Sequence, residues 1–152
     1  MLYEGLPDKT LLICLGVNKK YTEDGRHKSG VLSSLVKRRD IIGLVDQDPS
    51  NTQSRPKTMD QFVLTESKYA VERYHHQSNG NQLIVLCPNL ENWIIDAAKA
   101  SNTDLTKFSL PNKASALHRI INSRLPNFER LISDLIAQQN QSVLFLQSLL
   151  TT

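Results

Sequence analysis

Two aspartates separated by one residue close a short apolar run, residues 41–45, and are followed by Pro49. A short run that ends in a turn is typical of a buried strand in a parallel sheet. In open α/β sheets, ligands bind at the carboxyl ends of such strands. Side chains two residues apart on a strand point to the same side, so Asp46 and Asp48 present their carboxylates together.

Two neighbouring carboxylates repel each other unless a positive group lies between them. Mg²⁺ meets this need, because it takes oxygen ligands and is commonly held by one or two carboxylates together with substrate phosphate. A structural alternative remains open, since aspartate also accepts backbone hydrogen bonds in the turns that follow strands. The stretch therefore indicates either a metal site or a hydrogen-bonded turn.

The composition fits one soluble domain with a full core, since the 152 residues are 39% hydrophobic and 22% charged. Cys14 and Cys87 lie in apolar runs and are expected to be buried thiols, not a disulfide or a zinc site. The chain begins with no signal-peptide pattern, and no apolar stretch approaches the ~18 residues that a membrane span needs. We therefore expect a cytoplasmic protein that does not enter a membrane.

Basic residues crowd the segment that precedes the aspartate strand, although the net charge is only +3. They are Lys19, Lys20, Arg26, His27, Lys28, Lys37, Arg38 and Arg39. If this segment folds beside the strand end, basic groups flank an acidic centre, which suits a phosphate-bearing substrate. The alternative is a solvated basic loop and helix face. Lys28, Lys20 and Arg26 are the candidate phosphate contacts.

The apolar periodicity predicts strand–helix units first and helices last. Helices are predicted at residues 7–15, 31–37, 66–76, 90–100, 113–125, 128–138 and 142–150. Strands are predicted at residues 17–22, 41–45, 61–65 and 83–86, with a loop at 48–60. This order predicts an α/β domain over residues 1–100, with a parallel sheet of about four strands flanked by helices. Residues 101–152 are predicted to be a helical C-terminal extension packed on the same domain.

A second carboxylate is predicted at the same edge of the sheet. Glu4-Gly5 stands ahead of Pro7-Asp8, where the proline fits a first helical turn and Asp8 complements the helix dipole. The glycine permits a tight strand-to-helix turn with Glu4 at its lip. Glu4, Asp46 and Asp48 can then converge at the ends of adjacent parallel strands, as a magnesium site for phosphoryl chemistry requires.

These motifs, in this order, resemble the Toprim fold, which occurs in primases, topoisomerases and OLD-family nucleases. The resemblance covers roughly residues 1–100 and rests on a glutamate after the first strand, Glu4-Gly5-x-x-Asp8, and on Asp46-x-Asp48 after a later one. The segment from Cys87 to Trp93 also resembles a Pro-x-x-Glu-x-Trp element of OLD- and RloB-type Toprim-like proteins, which are often linked to phage defence.

The resemblance implies roles for four acidic residues. Glu4 matches the family glutamate, which acts as a general acid or base or binds metal, and Asp46 and Asp48 match the metal-binding pair. Glu91 matches a later glutamate, a fourth metal ligand or an orienting group. From its position alone, Glu91 is equally a first-turn carboxylate that complements a helix dipole. Mg²⁺ or Mn²⁺ is the implied cofactor.

Three functions stay open from the sequence. The leading one is metal-dependent phosphodiester hydrolysis of nucleic acid, with DNA favoured over RNA. The second is a non-catalytic module of the same fold that binds nucleic acid or protein, and the third is a small-molecule phosphoesterase, because fold alone does not decide. The isolated histidine His118 is predicted to be an ordinary surface residue, and Trp93 to anchor the core.

The sequence also bears on partners. No G-x-x-x-x-G-K-[ST] phosphate loop occurs in the chain, so an ATPase partner of the OLD type would be a separate polypeptide. The last predicted helix is strongly apolar, with Val143, Leu144, Leu146, Leu149 and Leu150. It either packs on the domain or forms a homodimer contact.

Overall fold

A six-stranded mixed sheet lies at the centre of the computed structural model, which describes residues 1–47 and 56–151. Its strands are β1 (Leu2–Tyr3), β2 (Glu23–Asp24), β3 (Ile42–Asp46), β4 (Phe62–Lys68), β5 (Val71–His76) and β6 (Gln82–Leu86). The spatial order is β2-β1-β3-β6-β5-β4. The α/β class predicted from the sequence is confirmed.

The first four strands in this order run parallel, and the β4–β5 hairpin is added antiparallel at the β6 edge. The sheet is thus larger and more mixed than the parallel sheet of about four strands expected from the sequence. Strands β3 and β6 pair residue for residue from Ile42–Gln82 to Asp46–Leu86. They therefore end together, and the segments that follow them start side by side.

Six α-helices of the described residues cover the two faces of the sheet. They are α1 (Leu6–Cys14), α2 (Lys28–Lys37), α3 (Leu90–Ala100), α4 (Ala114–Ile120), α5 (Leu125–Ala137) and α6 (Gln141–Leu150). Short 3₁₀ turns occupy Lys19–Tyr21, Lys57–Gln61, Leu105–Phe108 and Ile121–Ser123. None of the helices in the described ranges combines the length and apolarity that a membrane span requires.

Each face of the sheet has its own buried apolar cluster. Apolar residues of α1, α3, α4, α5 and α6 pack on one face, around Leu44 and Ile84 of the sheet and with Trp93 fully buried, as predicted. Helix α2 packs on the other face, in a cluster that includes Val45 and Leu83 of the sheet and Met59 of a 3₁₀ turn. Adjacent residues of β3 and of β6 thus serve opposite layers, as the two-residue strand period requires. The apolar C-terminal helix α6 joins the larger cluster within the chain.

Two predicted elements are wrong. Residues 17–22 contain the 3₁₀ turn Lys19–Tyr21 and no strand, and the strand comes later, as the exposed pair Glu23–Asp24. This strand forms because it pairs with the edge of β1, and no apolar pattern in the sequence marks it. Residues 66–76 form a β-hairpin, not a helix, with Tyr69 and Ala70 in the left-handed region at its turn. Such turns usually carry glycine or asparagine, and neither is present here to signal the hairpin.

The described part of the 48–60 loop, residues 56–60, includes most of the 3₁₀ turn Lys57–Gln61, and residues 48–55 lie outside the description. The predicted helix 113–125 is shorter than expected, because α4 ends at Ile120 and a 3₁₀ turn follows. Pro126 lies in the first turn of α5 and does not separate two helices. This position suits proline, since the first helical amides have no partner to lose.

A buried asparagine ties the last two helices to α3. The Asn140 Oδ1 caps α6 by accepting the amide of Val143 at 3.1 Å. Its Nδ2 donates to the Ala97 carbonyl and to the Ser101 hydroxyl, both at 2.7 Å. Residues after 100 are therefore held to the α/β part by buried polar contacts as well as by apolar packing.

We expect Asn140→Ala to lower the free energy of unfolding by about 2 kcal/mol, because it removes a helix cap and leaves a buried carbonyl without its donor. Urea denaturation followed by circular dichroism measures this. The control is Asn18→Ala, which removes an exposed cap of the 3₁₀ turn and should cost less than about 1 kcal/mol. Equal losses in the two variants would show that the buried contacts add nothing.

Candidate functional site

Three acidic residues lie where neighbouring parallel strands end. Glu4 directly follows β1, Asp46 is the last residue of β3, and Glu91 lies in the first turn of α3, which follows β6. Strands β1, β3 and β6 are adjacent and parallel. All three side chains line one cavity of about 290 Å³. The structure therefore brings together Glu4, Asp46 and Glu91, which were predicted from the sequence.

Backbone amides hold these carboxylates in place. Glu4 Oε1 accepts a hydrogen bond from the Asp46 amide at 2.9 Å. Asp46 Oδ1 in turn accepts from the amide of Leu90, at the start of α3, at 3.0 Å. Glu4 thus ties the end of β1 to the end of β3, and Asp46 ties the end of β3 to the start of α3. The structural role of Asp46 is therefore a long-range hydrogen bond and not a bond within the turn that follows its strand. It coexists with a place in the cavity.

A fourth carboxylate, Asp8, lies in the same cavity. It sits in the first turn of α1, is 7% exposed, and its Oδ2 accepts from the Gly5 amide at 3.0 Å. From the sequence, the only role expected for Asp8 was to complement the helix dipole. The spacing Glu4-x-x-x-Asp8 was the available signal, because it places a first-turn carboxylate of the helix behind a carboxylate at the strand end.

The carboxyl groups raise one another's proton affinity. Burial, and then the charge of Glu4, raise the pKa of Asp8 to about 7. Burial, followed by the charges of Asp8, Glu4 and Glu91, raises the pKa of Asp46 to about 8. At neutral pH the site therefore favours a bound proton, or another cation in its place.

Within residues 1–47 and 56–151, no three His, Cys, Asp or Glu side chains are arranged to hold a metal ion. The fourth predicted acidic residue, Asp48, lies outside the described residues. The donors present are hard carboxylate oxygens. These suit Mg²⁺, which keeps several waters and is often held by only one or two carboxylates.

Basic residues of the β2–α2 turn form one rim of the cavity. Arg26 and His27 line it, and the Lys28 ammonium donates to the Gln47 carbonyl, next to Asp46, at 3.0 Å. Two of the three predicted phosphate contacts, Arg26 and Lys28, are therefore near the carboxylates. Lys20 is not, because it precedes β2 and so lies toward the amino ends of the parallel strands, against the Tyr21 ring.

The His27 ring has a defined orientation. Its Nδ1 accepts the Gly30 amide at 3.0 Å and so caps α2. A backbone amide can only donate, so in the neutral ring the proton is on Nε2. The turn is closely packed, since a Cβ on Gly30 would lie 2.2 Å from the Gly25 carbonyl oxygen. The His27 ring therefore presents its Nε2–H as a donor at the rim of the cavity.

The opposite rim comes from the C-terminal helices. His118 of α4 lines the cavity, together with Ile121 and Asn122 of the following 3₁₀ turn. The His118 Nδ1 lies 2.9 Å from Glu91 Oε1. His118 is an exposed residue of a helix, as predicted, but its pairing with Glu91 was not expected. Nothing in the sequence pairs two residues 27 positions apart; only packing of α4 on α3 does so.

Comparison of the chain with protein-family models, with curated proteins and with solved structures finds no match. What the chain does must therefore be argued from the residues of this cavity.

We expect the free energy of unfolding of the metal-free protein to fall as the pH rises from about 4 towards 8, because of the ionisation of Asp46. The raised pKa of Asp46 means that its protonated form stabilises the fold, and this contribution disappears as the group ionises. Asp46→Asn keeps an oxygen acceptor for the Leu90 amide and cannot ionise. Its melting temperature minus that of the wild type should therefore increase between pH 5 and pH 9.

The matched control is Asp96→Asn, an exposed aspartate of α3, for which the difference in melting temperature should stay flat across the same pH range. A flat difference for Asp46→Asn as well would contradict a strained, buried carboxyl at position 46.

Proposed function

We propose that this chain hydrolyses phosphodiester bonds of nucleic acid with Mg²⁺ or Mn²⁺, on an α/β scaffold of Toprim type. The observation that carries the proposal is the cavity at the sheet edge. Carboxylates that follow adjacent parallel strands line it, and basic side chains border it. The Glu4-Gly5-x-x-Asp8 motif at the end of β1 and Asp46 at the end of β3 support the Toprim-like assignment.

The chemistry of the donors fits the cation. Asp46, together with Glu4 or Asp8, would hold it as a site of two carboxylates, and Asp48 joins them by the resemblance. When bound, the ion neutralises charge on the scissile phosphate and lowers the pKa of a water molecule. Glu91 is the exception among the acidic residues, because its carboxylate is paired with His118. We therefore assign it the orienting role.

The basic rim serves to bind substrate. The Arg26 guanidinium and the His27 Nε2–H supply donors that suit phosphate oxygens, next to the carboxylates that must approach the phosphorus. Lys28 adds positive charge at the end of β3. A nucleic-acid strand offers successive phosphates to such a rim. DNA is the preferred substrate in this proposal, with a separately encoded ATPase as the partner and phage defence as the setting.

One observation favours a small phosphoester as the second candidate. The cavity volume of about 290 Å³ is at the lower end of the range for small-ligand sites. The absence of a three-ligand metal arrangement within the described ranges favours the other alternative, a non-catalytic binding module. Both are distinguished from the nuclease by direct assay.

The assay compares supercoiled, linear and single-stranded DNA, and RNA, with Mg²⁺ or Mn²⁺. We expect metal-dependent cleavage that falls by at least about a hundredfold in both Asp46→Asn and Glu4→Gln, because each removes a charged ligand. Asp96→Asn should cleave at the wild-type rate. Wild-type cleavage that survives both substitutions would place the active site elsewhere.

Inactivity of the wild type is informative when melting is measured in parallel. Metal stabilisation without nucleic-acid cleavage would replace the nuclease by a small-molecule phosphoesterase. If the wild type shows no cleavage and metal does not shift its melting temperature, the non-catalytic module is the remaining candidate.

The role of His27 is tested by His27→Asn. Asparagine is a good helix cap and can accept the Gly30 amide, but it lacks the ring Nε2–H. We expect KM for the cleaved DNA to rise about tenfold with kcat within about threefold, as loss of one hydrogen bond to a charged group predicts. The control is Ser29→Ala, whose hydroxyl meets the other ring nitrogen at 2.7 Å. An unchanged KM in His27→Asn would remove His27 from the substrate site.

A further inference from the structure

Glu91 fixes the orientation of the His118 imidazole at the mouth of the cavity. The Glu91 side chain is 10% exposed and that of His118 is 78% exposed. The carboxylate is thus fixed inside the fold while the ring reaches the surface. Both residues line the cavity that contains Asp46 and Asp8.

The contact decides which ring nitrogen is available. An ionised carboxylate only accepts hydrogen bonds, so the Nδ1 that lies 2.9 Å from Glu91 Oε1 carries the proton. In the neutral ring, Nε2 then keeps its lone pair, on the accessible edge of the imidazole. His27 on the opposite rim has the reverse arrangement, with Nδ1 accepting and Nε2–H donating. One wall therefore offers a donor and the other an acceptor.

Three carboxylates of the cavity have structural hydrogen bonds. Glu4, Asp8 and Asp46 each accept a backbone amide inside the site. They are also the groups from which the two carboxylates of the proposed cation site come. Among the described residues the His118 ring is held at Nδ1 by Glu91, and the side chain is 78% exposed, so a molecule that enters from solvent can reach it.

We propose that His118 is a further catalytic residue, whose Nε2 accepts the proton of the attacking water, and that Glu91 is its positioning residue. This rests on the proposed hydrolysis. The water oxygen bonds to phosphorus, the bond from phosphorus to the leaving oxygen breaks, and one water proton passes to His118 Nε2. The leaving oxygen takes a proton from solvent. General base catalysis of this kind contributes roughly 10²–10⁴-fold in rate.

The test is chemical rescue, which an exposed ring permits. In cleavage of a fluorescein-labelled DNA oligonucleotide with Mg²⁺, His118→Ala should lower kcat by at least about a hundredfold, with KM within threefold. Added imidazole should restore kcat at least tenfold, because a cavity open to solvent can admit the free ring. The control is His75→Ala, a histidine of β5 whose ring meets Thr65 outside the cavity, which should neither lose kcat nor respond to imidazole.

Glu91→Ala should lower kcat as much as His118→Ala, and the double variant should lose no more than either single one, since the two residues act as a unit. A His118→Ala protein that keeps kcat within threefold, or whose lost kcat imidazole does not restore, overturns the role of His118 while leaving the nuclease intact. A wild type that cleaves no nucleic acid overturns both proposals.

Discussion

Like charges held close together in a half-buried place are the constraint on which this site depends. Four carboxylates share one cavity, and burial, followed by their mutual repulsion, raises the pKa values of Asp8 and Asp46 to about 7 and about 8. The repulsion between the carboxylates is offset because they supply hydrogen-bond acceptors for backbone amides at the ends of β1 and β3 and at the start of α3. The hydrogen bonds that Glu4 and Asp46 accept from such amides therefore stabilise the architecture, while the same carboxylates repel one another.

The same architecture explains why a cation and an anionic substrate would meet here. Parallel strands end at one edge, so the turns that follow them are brought side by side. The β1–α1 turn and the end of β3 supply carboxylates, and the β2–α2 turn supplies Arg26 and His27. Helix α4 closes the opposite side with His118, so the C-terminal helices contribute to the cavity as well as to the core.

The sequence predicted the elements whose patterns are local. The apolar run before Asp46, the proline-led start of α1 and the amphipathic α3 all form close to their expected bounds. Elements decided by partners were missed. Strand β2 exists through its pairing with β1, and the β4–β5 hairpin turns through left-handed Tyr69 and Ala70 without a glycine. The candidate site divides in the same way. Carboxylates at strand ends were predictable, whereas the buried position of Asp8 and the pairing of His118 with Glu91 arise from tertiary packing.

The central claim is that the carboxylates around Asp46 hold a divalent cation, and anomalous scattering tests it most directly. Crystals grown at pH 8.5 with Mn²⁺ should give an anomalous difference peak in the cavity, within bonding distance of Asp46 and at least one of Glu4 and Asp8, and this peak should be absent in Asp46→Asn. The account is contradicted if the cavity shows no peak at millimolar Mn²⁺, or if the only peaks lie at other surfaces of the molecule.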